Sequence, residues 1–574
     1  MSPPPAISPA IPVPASIRTR GIHWTCAPES DFPLRPKELA LDELARAGRV
    51  TTVKHGPHRT VYRVQLDGGI VYWKHCRIYS TRSFLRECVR PPKAKLEFDN
   101  ALALAKRGID TVRPLAWGVV SRWWPGESFV ITKALTDALP LNAYLETTLP
   151  KLPHDTQPLL RRRVAQALAC FIARLHEAGI HHPDLHPGNF LIEISSAFEP
   201  RFYLLDLHAI CLGKPLGRAA SRENLAVFNR WFLLRAERTD RLRFWKTYAQ
   251  ARGMLLADAR ALEEATWASN DHFWRGRDKR CLGNNRYFRH VHSQIASGFA
   301  VRDIDANFLN SLMADPDAPF RDPAAGLLKD SRSSTVVAID LPTSDGPRAM
   351  IYKRFRVTEW YDPCTNALRR SPALRSWANG HGLRDRGLPT PRPWLVLHRR
   401  RWGLLYEGYL LCERIENAPH LHDWMTQLAA LPPSHRHRYK RDSIDRLARL
   451  VRQLHERRLS HRDLKAANIL VKSASNPPNS ELGTRNSELS LIDLVGIRRE
   501  RRLTRSRMVQ NLARLHASFL ATPLVMRTDK LRFLRMYLNW GLAGRSNWKG
   551  WWNEIAAATK AKVAHNAKRG RPLA

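Results

Sequence analysis

Two stretches set an aspartate and an asparagine at one spacing: His182-Pro183-Asp184-Leu185-His186-Pro187-Gly188-Asn189 and His461-Arg462-Asp463-Leu464-Lys465-Ala466-Ala467-Asn468. In each, an apolar run follows and ends in a second aspartate, in Leu204-Leu205-Asp206 and Leu491-Ile492-Asp493. This set of groups suits phosphoryl transfer from a nucleoside triphosphate. Asp184 and Asp463 are the candidate bases that take or orient the proton of an acceptor hydroxyl. Asn189 with Asp206, and Asn468 with Asp493, are the candidate ligands of the Mg²⁺ that neutralises the phosphates. A single short motif of this kind arises by chance often enough to be ignored. Two copies in matching surroundings do not.

The same chemistry needs a cation on the α and β phosphates, supplied by a lysine on a strand. Lys74 ends Val71-Tyr72-Trp73-Lys74 and Lys353 ends Met350-Ile351-Tyr352-Lys353, each 110 positions before its aspartate. Glu97, in the helical stretch that follows, is placed to hold Lys74, whereas the matching position in the second copy is Ser376. A phosphate-covering loop is expected between the first two strands. It reads Lys54-His55-Gly56-Pro57-His58-Arg59 in the first copy, with Gly56 as the nucleotide-binding candidate, and Lys329-Asp330-Ser331-Arg332-Ser333-Ser334 in the second. Both are poorer in glycine and richer in positive charge than the loop of protein kinases.

The elements that must position these groups also repeat. Lys353 follows Lys74, Arg386-Gly387 follows Arg107-Gly108, and Asp463 follows Asp184, all at an offset of 279. Beyond the loop, Asn511-Leu512 follows Asn224-Leu225 at 287, because the second copy carries a polar insertion within Ser473 to Glu488, read as a surface loop. In the first copy, 50–54, 60–66 and 70–74 read as strands, with Asp67-Gly68-Gly69 as a hairpin turn. A helix is expected from about 95 to 106. Val164, Ala167, Leu168, Phe171, Ile172 and Leu175 form a helical stripe that stops at Gly179, matched in the second copy by Ile444, Leu447, Leu450, Val451 and Leu454. Such a stripe is core and carries no chemistry.

The 93 Lys and Arg against 52 Asp and Glu leave a formal charge of +41, which points to a polyanionic partner. No apolar segment follows Met1 as in a signal peptide, and no apolar run is long enough to span a bilayer, so a cytoplasmic protein is expected. Eight cysteines without C-x-x-C spacing suit a reducing compartment and argue against a zinc site.

Taken together, Lys74, Glu97, the Arg107 to Pro114 turn, the two H-x-D-L-x-x-x-N loops and the short segments after Asp206 and Asp493 resemble the bacterial lipopolysaccharide kinase family, the Kdo and core-heptose kinases. The resemblance implies an α+β fold of two tandem protein-kinase-like bilobal domains, each with a small β-rich N-lobe and a mainly helical C-lobe. It implies ATP and Mg²⁺ as cofactors, and as acceptor a sugar hydroxyl of an anionic glycolipid, the lipopolysaccharide core, at the cytoplasmic face of the inner membrane. The expected layout is a disordered Pro-rich start (1–35), a first domain (36–285), a joining segment (286–325), a second domain (326–555) and a basic tail (556–574). With Ser376 in place of an acid, the second domain is expected to be weaker or regulatory, or a pseudokinase scaffold. A protein Ser/Thr kinase is an alternative, although no Ala-Pro-Glu follows either copy, and an aminoglycoside-type phosphotransferase is another, since its loops read H-x-D-x-H-P-x-N. Nucleic-acid binding through Arg569-Gly570-Arg571-Pro572 is disfavoured, a terminal basic tail being more often solvated. Arg77, Arg82, Arg86, Arg90, Lys93 and Lys95, and in the second copy Arg354, Arg356, Arg369, Arg370 and Arg375, gather beside the nucleotide lysines and are expected to hold the anionic glycolipid acceptor, with salt-sensitive peripheral contact with anionic membrane and Trp548, Trp551 and Trp552 as interfacial anchors.

Overall fold

The computed structural model describes residues 16–27, 39–56, 58–78, 80–255, 258–343, 346–357, 369–401, 404–472, 488–538, 547–568 and 570. Pro57, the insertion at 473–487, the side chain of Arg82 and most of the Arg569 to Pro572 motif lie outside the described residues. The chain divides into two compact units, Met1–Asp271 and His272–Ala574.

Unit 1 begins with β1 (Ser16–Thr19), β2 (Ile22–Cys26), α1 (Leu41–Arg46), β3 (Val50–Lys54), β4 (Arg59–Leu66) and β5 (Gly69–Cys76). The β4 and β5 strands meet at Leu66 and Gly69 across the two-residue turn Asp67-Gly68. Then come α2 (Thr81–Val89), α3 (Lys93–Lys106), β6 (Pro114–Val119) and β7 (Ser128–Lys133), completing an antiparallel sheet of order β1-β2-β6-β7-β5-β4-β3. Its core holds Trp24, Trp73, Leu115 and Phe129, with Trp24 edge-on to Trp73 at 5.2 Å. A Cβ at Gly118 would lie 2.7 Å from the Trp24 ring, so glycine makes room for that indole.

The second part of unit 1 is mainly helical. It contains β8 (Leu139–Pro140), α4 (Leu141–Ala143), α5 (Thr156–Glu177), β9 (Ile180–His181), β10 (Phe190–Ile194), β11 (Pro200–Leu204), β12 (Cys211–Leu212), α6 (Arg218–Arg235), α7 (Arg238–Ala251) and α8 (Ala259–Asp278), the last crossing the boundary between the units. The α5 stripe Val164, Leu168, Phe171, Ile172 and Leu175 is buried in one cluster with Phe190, Phe202 and Phe228. Each such side chain stabilises the fold by about 1.5–3 kcal/mol. The helix stops where the backbone allows nothing else. Gly179 has φ +73°, and a Cβ there would lie 2.1 Å from the Gly213 carbonyl oxygen.

Unit 2 repeats the plan. Its sheet runs β13 (Phe288–His292), β14 (Ala296–Val301), β18 (Pro393–Arg401), β19 (Leu404–Glu413), β17 (Arg348–Phe355), β16 (Ser334–Leu341) and β15 (Gly326–Ser331) in spatial order. The α9 helix (Ala306–Ala314) precedes β15, and α10 (Pro372–Asp385) follows β17. The helical part holds α11 (Leu421–Ala429), α12 (Pro433–Glu456), β20 (Leu459–His461), β21 (Ile469–Lys472), β22 (Glu488–Leu491), β23 (Ile497–Arg499), α13 (Arg505–Ala517), α14 (Arg527–Leu538) and α15 (Trp548–Ala567).

Several sequence-based boundaries need correction. The Pro-rich start was expected to be disordered through residue 35, but 16–26 forms the β1–β2 hairpin, whose β2 strand pairs with β6 and buries Trp24 in the sheet core. The expected joining segment 286–325 contributes β13 and β14 to the unit 2 sheet, with Val291, Ala300 and Val301 buried in its core. The basic tail is helical through Ala567 as part of α15. Trp548, Trp551 and Trp552 are not free interfacial anchors. They pack on the helical core of unit 2, Trp551 against Tyr537 at 6.0 Å and beneath Arg505.

Candidate active site

In unit 1 the candidate groups are delivered by the two parts of the bilobal fold. Lys74 lies on β5 and its Nζ pairs with Oε1 of Glu97 from α3, both side chains being largely withdrawn from solvent. Asp206 follows β11 in a left-handed conformation, φ 61°, which turns its carboxylate out of the strand direction. Its Oδ1 accepts from Arg59 Nη1 at 2.8 Å and lies 2.9 Å from His208 Nδ1. Burial alone would raise the Asp206 carboxyl. The His208 hydrogen bond and the charges of Arg59 and Lys74 overturn that and hold it well below the usual carboxylate range, so Asp206 is an anion at any working pH. One ligand atom from each of Glu97, Asp206 and His208 falls within a sphere of mutual separations under 4.8 Å.

The loop between β9 and β10 brings the other pair. Asn189 Nδ2 donates to the Asp184 carbonyl at 2.9 Å, closing the loop on itself. The Asp184 N–H donates to His182 Nδ1 at 3.2 Å, the Leu205 N–H donates to the Asn189 carbonyl at 2.8 Å, and Asp184 leaves its carboxylate exposed beside His186. Asn189 immediately precedes β10 and Asp206 follows β11, at neighbouring strand ends, as Phe190 pairs with Leu204. They offer an amide oxygen and a carboxylate, hard donors of the kind Mg²⁺ takes alongside phosphate oxygens and water, so the donor set fits that ion. Gly56 lies in the β3–β4 loop, where an added Cβ would sit 3.4 Å from the Arg59 carbonyl.

Unit 2 places its candidates alike but with different partners. Asn468 Nδ2 donates to the Asp463 carbonyl at 2.8 Å and to Asp463 Oδ2 at 3.1 Å, and Asp493 is again left-handed, φ 54°. Lys353 does not meet an acid from α10, because Ser376 occupies that place and is buried. Its Nζ instead approaches Asp493 Oδ1 at 3.2 Å. Of the triad Glu97, Asp206 and His208, unit 2 retains only the aspartate: the matching residues are Ser376, Asp493 and Val495. Strand register also matches Arg59 to Ser334, since Arg59 pairs with Cys76 on β5 and Ser334 with Phe355 on β17.

Several positioning residues escaped the sequence reading. Asn224 Nδ2 donates to the His182 carbonyl at 2.6 Å, and its Oδ1 meets His176 Nε2 at 3.1 Å, while His176 Nδ1 meets Tyr248 at 2.7 Å. Burial pushes His176 down to about 4, so it is neutral, a hydrogen-bonding joint and not a charge. In unit 2, Asn511, His455 and Tyr537 form the corresponding chain, with the His461 N–H donating to Asn511 Oδ1 at 2.7 Å. The matching Asn224-Leu225 and Asn511-Leu512 pairs were the available signal. Thr111 and Thr390 donate to the carbonyls of Leu204 and Leu491, and Asn100 and Asn379 to those of Leu207 and Leu494. The expected Arg cluster of unit 2 is partly consumed: Arg354 pairs with Asp317 and Arg356 with Asp330.

Residues 51–248 and 361–537 match the lipopolysaccharide kinase (Kdo/WaaP) family. The chain belongs to that family. A 3-deoxy-D-manno-octulosonic acid kinase of Haemophilus influenzae is 34% identical over 104 residues, 17% of this chain and 39% of the relative. The lipopolysaccharide core heptose(I) kinase WaaP of Pseudomonas aeruginosa is 26% identical over 152 residues, 26% of this chain and 51% of that protein. The matches therefore span between about two fifths and half of these Kdo/WaaP relatives. A solved structure of WaaP in complex with acyl carrier protein is 22% identical, covering 39% of this chain and 92% of that one with a TM-score of 0.30. The two matched regions fall one in each unit, so the family's pattern occurs twice in the chain.

Proposed function

We propose that unit 1 transfers the γ-phosphoryl group of ATP to a sugar hydroxyl of a lipopolysaccharide-core glycolipid. The reading is carried by one observation: Lys74 with Glu97, Asp206 held as an anion, and Asn189 closing the loop of Asp184 occur together in a member of the Kdo/WaaP family. In this reading Lys74, fixed by Glu97, would bind the α and β phosphates, and Asn189 and Asp206 would hold Mg²⁺, which would neutralise charge on the phosphates. Asp184, exposed and positioned by His182 and Asn189, orients the acceptor hydroxyl and takes its proton as the oxygen attacks phosphorus. The relatives' names, a Kdo kinase and a core heptose(I) kinase, support a sugar acceptor on lipopolysaccharide. The setting would be the cytoplasmic face of the inner membrane, by peripheral contact; among the described residues no helix is long and apolar enough to cross a membrane.

Unit 2 is read as a nucleotide-binding but weaker or regulatory copy. What supports this is Lys353 resting on Asp493, the residue that would bind the metal, with neither the Glu97 nor the His208 counterpart present. The test is to incubate the full chain with labelled ATP and, separately, lipopolysaccharide, soluble sugars and protein. Label in lipopolysaccharide, lost in Asp184→Asn and kept in Asp463→Asn, is the expected result. Label only in protein or soluble sugar rejects the acceptor, and equal losses in both variants reject the asymmetry.

A further inference from the structure

A helix on a protein surface normally turns its apolar stripe to the core. The α2 helix does the reverse. At about 100° per residue, Phe84, Leu85, Cys88 and Val89 share one face, and Ser83, the buried residue among its described side chains, lies roughly opposite. Leu85 is therefore 66% exposed and Val89 85% exposed. The helix is nonetheless well made, with a capping box between Ser80 and Ser83, so its apolar face is a formed surface and not a frayed end.

A second apolar projection rises beside it. The turn between β6 and β7 carries Trp123 and Trp124, 90% and 72% exposed, next to Arg122. Register places both features at one end of the unit 1 sheet: Ser128, the first residue of β7, pairs with Val119 at the end of β6 and with Cys76 at the end of β5, from which the chain enters α2. Arg59 also pairs with Cys76, so the β3–β4 loop, with exposed Val53 and Lys54, emerges at this same end. The result is a set of apolar prominences interleaved with exposed Lys54, Arg86, Arg90 and Arg122.

We propose that this end of the unit 1 sheet is the docking surface for an anionic lipid bilayer. Two indole rings beside arginines suit the interfacial layer, where an apolar body sits among the acyl chains and the cation meets phosphate. A nine-residue helix cannot span, yet can lie in the interface with its apolar face down. A second copy of this chain is a poor occupant, since two molecules of formal charge +41 repel, whereas the same charge favours an anionic membrane. The proposal rests on the reading of a membrane glycolipid as acceptor and adds which surface meets the membrane. It places the β3–β4 loop, and with it the nucleotide end of the cleft, next to the headgroups.

Co-sedimentation of the full chain tests it, with phosphatidylglycerol–phosphatidylethanolamine vesicles and with pure phosphatidylcholine vesicles, at low and high salt. The wild type is expected to pellet with the anionic vesicles and to be released by salt. Leu85→Ser with Val89→Ser, and Trp123→Ser with Trp124→Ser, should each lower the partition coefficient at least about tenfold, and Arg86→Gln with Arg90→Gln and Arg122→Gln should abolish the salt-sensitive part. Thermal melts should be unchanged because these side chains are exposed. Wild-type partitioning by these variants overturns the proposal, as does failure of the wild type to bind anionic vesicles. A wild-type dimer in size exclusion that the apolar variants split would assign the face to a second copy instead. The assay needs neither ATP nor acceptor, so failure to phosphorylate lipopolysaccharide would reject the proposed function without touching this result.

Discussion

Replacing Glu97 by glutamine keeps the side-chain volume and removes the charge that fixes Lys74. In a buried pair, removing one partner usually costs about 3–5 kcal/mol because the other charge is stranded. Lys74 has another carboxylate within its reach, and unit 2 shows the outcome: with Ser376 in place of an acid, Lys353 settles 3.2 Å from Asp493. Opposite charges at that separation attract by roughly 5 kcal/mol at an effective dielectric of about 20. Asp206, however, already carries Arg59 and His208 and is about a quarter exposed, so Lys74 recovers only part of this. The expected net cost is about 1–2 kcal/mol, a fall of roughly 2–8 °C in the melting temperature of unit 1. Activity should suffer far more. In the proposed roles the same movement withdraws the lysine from the phosphates and sets it on the aspartate assigned to the metal, so kcat/KM should drop about 100-fold, equivalent to about 2.7 kcal/mol. Circular dichroism melts and steady-state transfer from labelled ATP measure the two effects separately. Unchanged kcat/KM with a lowered melting temperature would make the pair purely structural. A loss of about 3–5 kcal/mol would show that Lys74 finds no second partner.

Asp184→Asn should cut transfer by about 10²–10⁴-fold while calorimetric ATP binding stays near wild type, since in the proposed role this group meets the acceptor and not the nucleotide; a matching loss of ATP affinity would remove it from the role of base. In an Asp184→Asn background, Ser376→Glu should draw Lys353 off Asp493 and raise nucleotide affinity and residual transfer by unit 2, and no change in either would mean that the missing acid does not limit this copy. The buried histidines give a pH dependence with a defined sign. Burial pushes His176 and His455 down to about 4, against about 6.5 when unfolded, so above pH 6.5 neither state gains a proton and their stabilising contribution is complete. Between pH 6.5 and 4 the unfolded chain binds protons that the folded chain refuses, and stability falls as pH falls, by about 1.4 kcal/mol per pH unit per histidine. Urea unfolding midpoints at pH 7 and pH 5 measure this, and equal midpoints would contradict neutral buried histidines.

Much of the site was legible because its parts are short, local and repeated. Asp184 to Asn189 is a single loop, and the 279 offset carried Lys74 to Lys353 without any knowledge of the sheet. The contact of Arg59 with Asp206 joins residues 147 positions apart, and no local pattern encodes it. His208 drew no assignment from the sequence, and its closeness to Glu97 depends on how α3 meets the segment after β11. The β13 and β14 strands were missed because they are short, precede the repeat as aligned on the lysine strands, and join the sheet through β14 pairing with β18, nearly 100 residues on. Trp548, Trp551, Trp552 and Ile555 follow helical spacing for a core-facing stripe and pack, half-buried, on the helical core of unit 2, and that periodicity outweighs the basic surroundings that suggested an interface.

The two copies differ unequally in what holds the site and what reacts in it. Thr111 and Thr390 make the same hydrogen bond at 2.7 Å, Asn100 and Asn379 the same one at 2.8 Å, and both aspartates after the strand remain left-handed. The His176 to Tyr248 contact at 2.7 Å is answered by His455 to Tyr537 at 2.8 Å. Leaving a buried donor or acceptor unpaired costs about 1–3 kcal/mol whether or not the protein turns over, so a unit that must stay folded keeps these bonds. Glu97, Arg59 and His208 are different. They are charged or ionisable groups drawn into a cleft, where desolvation opposes them, and replacing a pair by neutral residues can leave the fold no less stable. Unit 2 has Ser376, Ser334 and Val495 at those positions. Selection for stability alone would permit that set of losses and forbid the other, which is the pattern expected of a copy retained for its fold and for binding, beside a first copy retained for transfer.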